Sequence, residues 1–242
     1  MTLSNYQLPI TNYQLPITNY QLPITNYQLP IMNDFFLFKY GSEIIERSIE
    51  HLMLVIIAIS IATIIGIPLG ILITRNKSLR QPILGIANIL QTIPSLALFG
   101  LLIPVRIIGG IGPVPAIFAL TLYSFLPIIR NTYTGIMNVN PAIREAGRGM
   151  GMTDRQLLFQ VEIPLALGVI LAGVRVAMVI GIGIATIAAA IGAGGLGVFI
   201  FRGISLVNND LILAGAVPAA LIALIADLGI GALERRMTKG KM

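Results

Sequence analysis

An all-α integral membrane protein, built as a five-span helical bundle, is the fold class this sequence predicts, and three observations predict it. Of the 242 residues, 56% are hydrophobic and 11% charged, and mean hydropathy is +0.88. A soluble domain carries about a quarter charged residues, so this chain cannot clothe a globule in water-compatible surface. Second, the apolar residues gather in runs of about 20, the length a helix needs to cross a bilayer. Third, the cations behind the net charge of +6 lie between those runs. That placement is explained by membrane topology, with no need for a nucleic-acid partner.

The chain opens on a repeat. Residues 4–31 read SNYQLPI and then TNYQLPI three times. A proline in every unit forbids a continuous helix, so the period of seven is no coiled coil. The peptide can be written ACC AAT TAC CAA TTA CCA ATT, a seven-nucleotide unit whose three reading frames all encode the same cyclic peptide. We therefore expect a DNA repeat running into the gene, 1–31 outside the native protein or disordered, and Met32 as the biological start; the alternative is an extracytoplasmic tail. The segment has no basic n-region and no unbroken apolar core, so it is no signal peptide.

Beyond Met32, spans are predicted at 51–73, 83–104, 113–130, 165–191 and 211–233. Residues 42–50 form either an amphipathic helix at the outer interface or the first turns of span one. Gly66 and Gly70 are a small-xxx-small pair that favours close helix packing. Arg75, Lys77, Arg80, Arg130, Arg144, Arg148, Arg155, Arg235, Arg236, Lys239 and Lys241 share one side of this five-span scheme. The other side keeps Lys39, Arg47, Arg106 and Arg202. Positive charge stays inside, so the N-terminus is expected outside and the C-terminus in the cytoplasm. The chain has no cysteine, and the single histidine, His51, is expected in an interfacial structural role, because a metal site needs several convergent ligands.

The loop at 131–164 differs from the rest. Asn140 suits a helix N-cap and Pro141 a first helical position. Gly149 and Gly151 then stop the helix. Thr153 with Gln156 has capping-box spacing, and Pro164 stands where the chain re-enters the membrane. A compact helix-turn-helix knob follows. At these residues the chain resembles the permeases of ATP-binding-cassette importers, whose loop signature is Glu-Ala-Ala, three residues, Gly, nine residues, Ile-x-Leu-Pro. Here Glu145-Ala146-Gly147 is followed after three residues by Gly151, and after nine more by Val161-Glu162-Ile163-Pro164. Gly147, Val161 and Ile163 depart from the signature by small changes.

The likeness runs through most of 42–236. QTIPSLALFGLLIP (91–104), LYSFLPIIRNTYTGI (122–136), IPLALGVILAGVR (163–175) and IGAGGLGVFIFRGI (191–204) are similar to permeases for glycine betaine, choline, carnitine and related osmoprotectants. The resemblance implies a type I importer permease fold. It implies a pore made with a second copy or a close paralogue, two cytoplasmic ATPases that dock on the loop, and an extracytoplasmic binding protein. It also implies that Glu145, Ala146, Gly147, Gly151, Val161, Ile163 and Pro164 form the ATPase-coupling loop. The chain has no Gly-x-x-x-x-Gly-Lys-Ser/Thr phosphate loop, so ATP and Mg are expected on the partner ATPase, with no cofactor on this chain and no enzymatic activity. Other cargoes, such as an amino acid, fit the same loop. A stand-alone secondary transporter would leave it unexplained.

Polar residues inside the spans complete the candidates. Asn88 and Gln91 share a helix face beside Pro94, as a pathway wall or a helix–helix interface. Tyr123 is a candidate for cation–π contact with a quaternary ammonium, with packing as the alternative. Arg175 and Asp227 are a candidate intramembrane pair; otherwise Arg175 snorkels and Asp227 faces water. Gly192 to Gly197 matches Gly-x-Gly-x-x-Gly but lacks the strand–helix setting of a dinucleotide site, and reads as a flexible turn near the outer gate.

Overall fold

A computed structural model describes residues 36–105 and 108–238, with the side chains of 36–39 and 238 set aside. The 1–31 repeat, the Met32 start, Arg106, Lys239, Lys241 and the Lys39 side chain lie outside the described residues.

Every element described is helical. Helix α1 spans Phe36–Arg75, α2 Lys77–Thr92, α3 Ser95–Leu102 and α4 Pro113–Met137. The knob contains α5, Pro141–Gly149, and a single turn α6, Asp154–Gln156. A π-helical stretch, Leu157–Glu162, leads into α7, Ile163–Ala188, which ends in a 3-10 turn at Ala189–Ile191. Two helices, α8 at Gly197–Leu206 and α9 at Asn209–Thr238, close the chain.

The local sequence explains most of these boundaries. Asn76 accepts from the Ser78 amide at 3.1 Å, satisfying one free donor at the start of α2. Pro113 begins α4, where its missing N–H costs nothing. Asn208 accepts from the Asp210 and Leu211 amides at 3.0 and 3.2 Å before α9.

Four helices are long and apolar enough to cross a membrane singly: Tyr40–Arg75, Pro113–Met137, Asp154–Ile191 and Asn209–Met237. Span one is thus longer than 51–73 suggested, and 42–50 are its first turns. The predicted span 83–104 is instead α2 and α3, bent by 97° at Ile93–Pro94. Proline removes a helical hydrogen bond, and the preceding Ile93 is extended at φ −66°, ψ 130°.

Contacts show that this bent pair counts as a crossing. The Thr121 hydroxyl lies 3.3 Å from the Ala58 carbonyl. A Cβ on Gly66 would lie 2.9 Å from Ile128 Cγ2, and one on Gly70 2.5 Å from Thr132 Cβ. Positions rise together along both helices, so α1 and α4 run parallel, and the chain must return between them through α2 and α3. A Cβ on Gly135 would meet Val169 and Ala166, and one on Gly173 would meet Asn131, so α7 runs antiparallel to α4. The Arg175–Asp227 contact and the approach of Gly215 to Leu196 set α9 antiparallel to α7. Five crossings result, and residues 40 and 237 lie at opposite ends.

Helix α4 is central: 61% of its apolar window is buried, against 28–33% for the other three. Its Ala119 and Leu120 join Val55 and Ala58 of α1 and Ile182 and Ala185 of α7 in the main core. Helix α8 was not foreseen, because ten residues are too few to cross a bilayer. It packs at the end opposite the knob, where Phe199 meets Tyr40 edge-on at 5.9 Å.

Candidate functional site

The knob emerges where α1, α4 and α7 end together. Helix α4 continues to Met137, seven residues past the predicted span end, so the excursion proper is 138–162. Asn140 accepts from the Ala142 amide at 2.9 Å and caps α5. The helix closes with the Met152 amide on the Gly147 carbonyl at 3.1 Å. Gly151 sits in that closure at φ +80°, a left-handed conformation that glycine adopts without strain. Thr153 and Gln156 then complete a capping box: Thr153 N donates to Gln156 Oε1 at 2.8 Å, and Gln156 N to Thr153 Oγ1 at 3.3 Å.

The predicted coupling residues separate into two groups. Glu145, Ala146 and Gly151 are exposed on the knob, whereas Gly147 is buried. A Cβ on Gly147 would lie 2.8 Å from Leu157 Cδ1, so its small size seats the fully buried Leu157. Val161, Ile163 and Pro164 are half-buried where the π-helical stretch enters α7.

Sequence reasoning passed over the residue between them. Glu162 is 0% exposed. One carboxylate oxygen accepts from Arg75 at the end of α1. The other lies 3.1 Å from Arg144 Nε in α5. Arg144 also donates to the Ile136 carbonyl near the end of α4. One carboxylate therefore ties α1, α5 and the start of α7 together, and Arg144 adds α4. Burying a lone carboxylate is costly, and two guanidiniums make this burial tolerable. The only signal in the sequence was an acid inside an otherwise apolar stretch; its partners lie 87 and 18 positions away, beyond any local pattern.

The candidate pathway residues divide. Asn88 lines a cavity of about 730 Å³ at the knob end, beside Thr74, Lys77, Arg80, Gln81 and Tyr133. The Arg80 guanidinium sits 4.6 Å over the Tyr133 ring. Gln91 and Pro94 are outside this wall. Tyr123 is 4% exposed, and its hydroxyl donates to the Ile93 carbonyl at the bend. It is a packed core residue here. Arg175 Nε lies 3.4 Å from Asp227 Oδ1, and its Nη1 lies 3.4 Å from Glu234 Oε2, so the candidate pair is a group of three.

The opposite end corrects one expectation. His51 is fully buried, not interfacial, with Nε2 3.0 Å from the Ile182 carbonyl; that acceptor makes Nε2 the donor. The covering segment is Gly192 to Gly197. Gly192, Gly194 and Gly195 all have positive φ, from 75° to 82°. The Gly195 amide donates to Glu50 at 2.9 Å, and Glu50 also meets Arg47 at 2.8 Å. The glycines here serve the backbone path of the turn and the close passage of α1, and Glu50 holds the turn by one amide.

Residues 66–239 match the family described as "Binding-protein-dependent transport system inner membrane component". The chain is 53% identical over 180 residues to the osmoprotectant import permease protein OsmW of Salmonella typhimurium, covering 74% of this chain and 84% of that protein. It is 44% identical to the choline transport system permease protein OpuBB of Bacillus subtilis, covering 86% and 94%. Among solved structures, an inward-facing form of the MetNI methionine ABC transporter is similar with a TM-score of 0.73 at 25% identity, covering 81% of this chain and 96% of that one.

Proposed function

This chain belongs to the family of inner membrane components of binding-protein-dependent transport systems, and from that premise we propose that it is the permease subunit of an importer for a quaternary-amine osmoprotectant such as glycine betaine, choline or carnitine. The observation that carries this reading is the knob. It presents Glu145 and Ala146 outward on a capped α5, with Gly151 exposed just beyond it, while Gly147 seats α5 on Leu157. A short, rigid helix held against three span ends is a handle for a mechanical partner. The cargo class is supported by the relatives above, whose names specify osmoprotectants and choline.

On this reading two ATPase subunits grip the knobs of two permease subunits and supply ATP and Mg. A binding protein delivers the solute on the other face. The knob end is cytoplasmic, since the cations cluster there, and the N-terminal end is outside. Asn88 and the cavity beside it stand on the cytoplasmic exit route, with Lys77 and Arg80 repelling a cationic ammonium group and so disfavouring its retention. Tyr123 supports the bend and has no contact with cargo. The Arg175–Asp227–Glu234 group holds α7 to α9 in the cytoplasmic half.

The test is reconstitution of the complete complex in vesicles, with ATP-driven accumulation of labelled glycine betaine, choline, carnitine and methionine measured in parallel. Uptake of one or more quaternary amines, dependent on ATP and on the binding protein, is expected. Accumulation of methionine alone overturns the cargo. A single cysteine replacing Asn138 checks orientation: labelling by an impermeant thiol reagent in intact cells overturns the assigned sidedness.

A further inference from the structure

The knob's grip on the bundle converges on one atom group, and nothing in the loop signature assigns it a role. Glu162 is completely buried, yet both its oxygens are engaged by cations from other elements: Arg75 closing α1 and Arg144 within α5. Arg144 adjoins the exposed Glu145 and reaches back to the Ile136 carbonyl. Glu162 itself ends a six-residue π-helical stretch, a departure from regular helix that recurs at functional positions. The contact between Gly147 and Leu157 is apolar and lies within the knob. The charges of Arg75 and Arg144 instead meet on a carboxylate that no water reaches to replace either one.

We propose that Arg144, Glu162 and Arg75 form a charged strut that transmits displacement of the knob to the ends of α1, α4 and α7, with Glu162 as the positioning residue that couples ATP hydrolysis to solute movement. The proposal rests on the importer reading above. If the ATPase moves α5, Arg144 moves with it, and Glu162 must follow or leave a carboxylate buried without its partner. The same carboxylate pulls Arg75. The strut thereby makes α1 and α7 respond together, where packing alone lets each relax by itself. Its role is distinct from docking: none of Arg144 Nε, Glu162 or Leu157 is on the outer surface of the knob.

The test uses the whole complex, with Glu162→Gln keeping the shape and removing the charge. Uptake and ATP hydrolysis are measured on the same vesicles, and the amount of bound ATPase is quantified. We expect full ATPase retention, hydrolysis within about twofold of the parent, and uptake reduced about tenfold or more, the scale of a lost coupling between sites. Arg144→Lys keeps the charge but cannot hold the Ile136 carbonyl and the carboxylate at once, and should show the same split in milder form. It also decides the question by the same criteria if the Glu162→Gln complex does not assemble. Parallel loss of uptake and hydrolysis in an assembled complex, or no loss of either, overturns the strut. The parent complex is the separate control: its failure to accumulate any solute overturns the importer reading, whereas normal parent uptake with unaltered variants overturns the strut alone.

Discussion

Helix α1 is tied at both ends through a glutamate, and the two ties are of different kinds. At the knob end, Glu162 is fully buried and joins cations from two other elements. At the opposite end, the Glu50 side chain is 38% exposed; its cation, Arg47, is one turn away in the same helix, and its remote partner is only the Gly195 amide. Water screens the second arrangement and can replace it, whereas nothing replaces the first. The knob end is therefore built to move as one body, and the far end to let its covering turn separate from α1 at low cost.

Breaking the buried tie should have the largest effect. Glu162→Ala leaves two guanidiniums facing each other, at a cost of about 3 kcal/mol or more. Loss of folded protein, or an apparent Tm lowered by several degrees, is expected in detergent thermal scans. An unchanged Tm would show that the carboxylate is not bearing load. Next comes Gly151→Val. No atom lies within 4 Å of the added Cβ, so the cost is confined to a β-branched residue at φ +80°, about 1–3 kcal/mol. The protein should insert normally and lose ATPase retention or coupling, with uptake falling for every cargo alike. Normal uptake in an inserted protein would make the loop a passive connector.

The far end should respond less. Glu50→Gln keeps an acceptor for the Gly195 amide while losing the charge, a change of about 1 kcal/mol. Faster amide hydrogen exchange at 192–197 with unchanged exchange in α5 is the expected signature. Equal acceleration at both ends would erase the contrast between them. Smallest of all is Arg202→Gln, which removes an exposed pair with Glu43 at 3.1 Å. A shift below about 0.5 kcal/mol is expected from such a pair, and a large one in the same thermal scan would mean that α8 is held by charge and not by Phe199 and Leu211.

The contrast also marks what could be read from sequence. Caps, the glycine stop and the helix-turn-helix knob are encoded within four or five residues of one another, so Asn140, Gly151, Thr153 and Gln156 were legible. So were the apolar runs, and the small pair Gly66 and Gly70, which does bring α1 against α4. The bend at Ile93–Pro94 was half legible: the proline was visible, but its 97° angle is set by what packs around it. Glu162 was invisible as a hub, since Arg75 and Arg144 are brought to it only by the fold. His51 was misplaced because its cover comes from a turn about 140 residues later.

The bend carries a consequence for inheritance. Pro94 offers no N–H to the Leu90 carbonyl and turns the helix at Ile93, whose own carbonyl is met by the Tyr123 hydroxyl from α4. In hydrocarbon no solvent would serve instead. Substituting Phe for Tyr123 strands that carbonyl, while substituting Ala for Pro94 favours a straight helix in which the Ala97 amide takes the Ile93 carbonyl and the hydroxyl is no longer needed. Each change alone is harmful in its own way, and the two together are less harmful than their sum. Proline and tyrosine at these positions should therefore be gained and lost as a pair among descendants of this sequence, although they stand 29 positions apart in the chain.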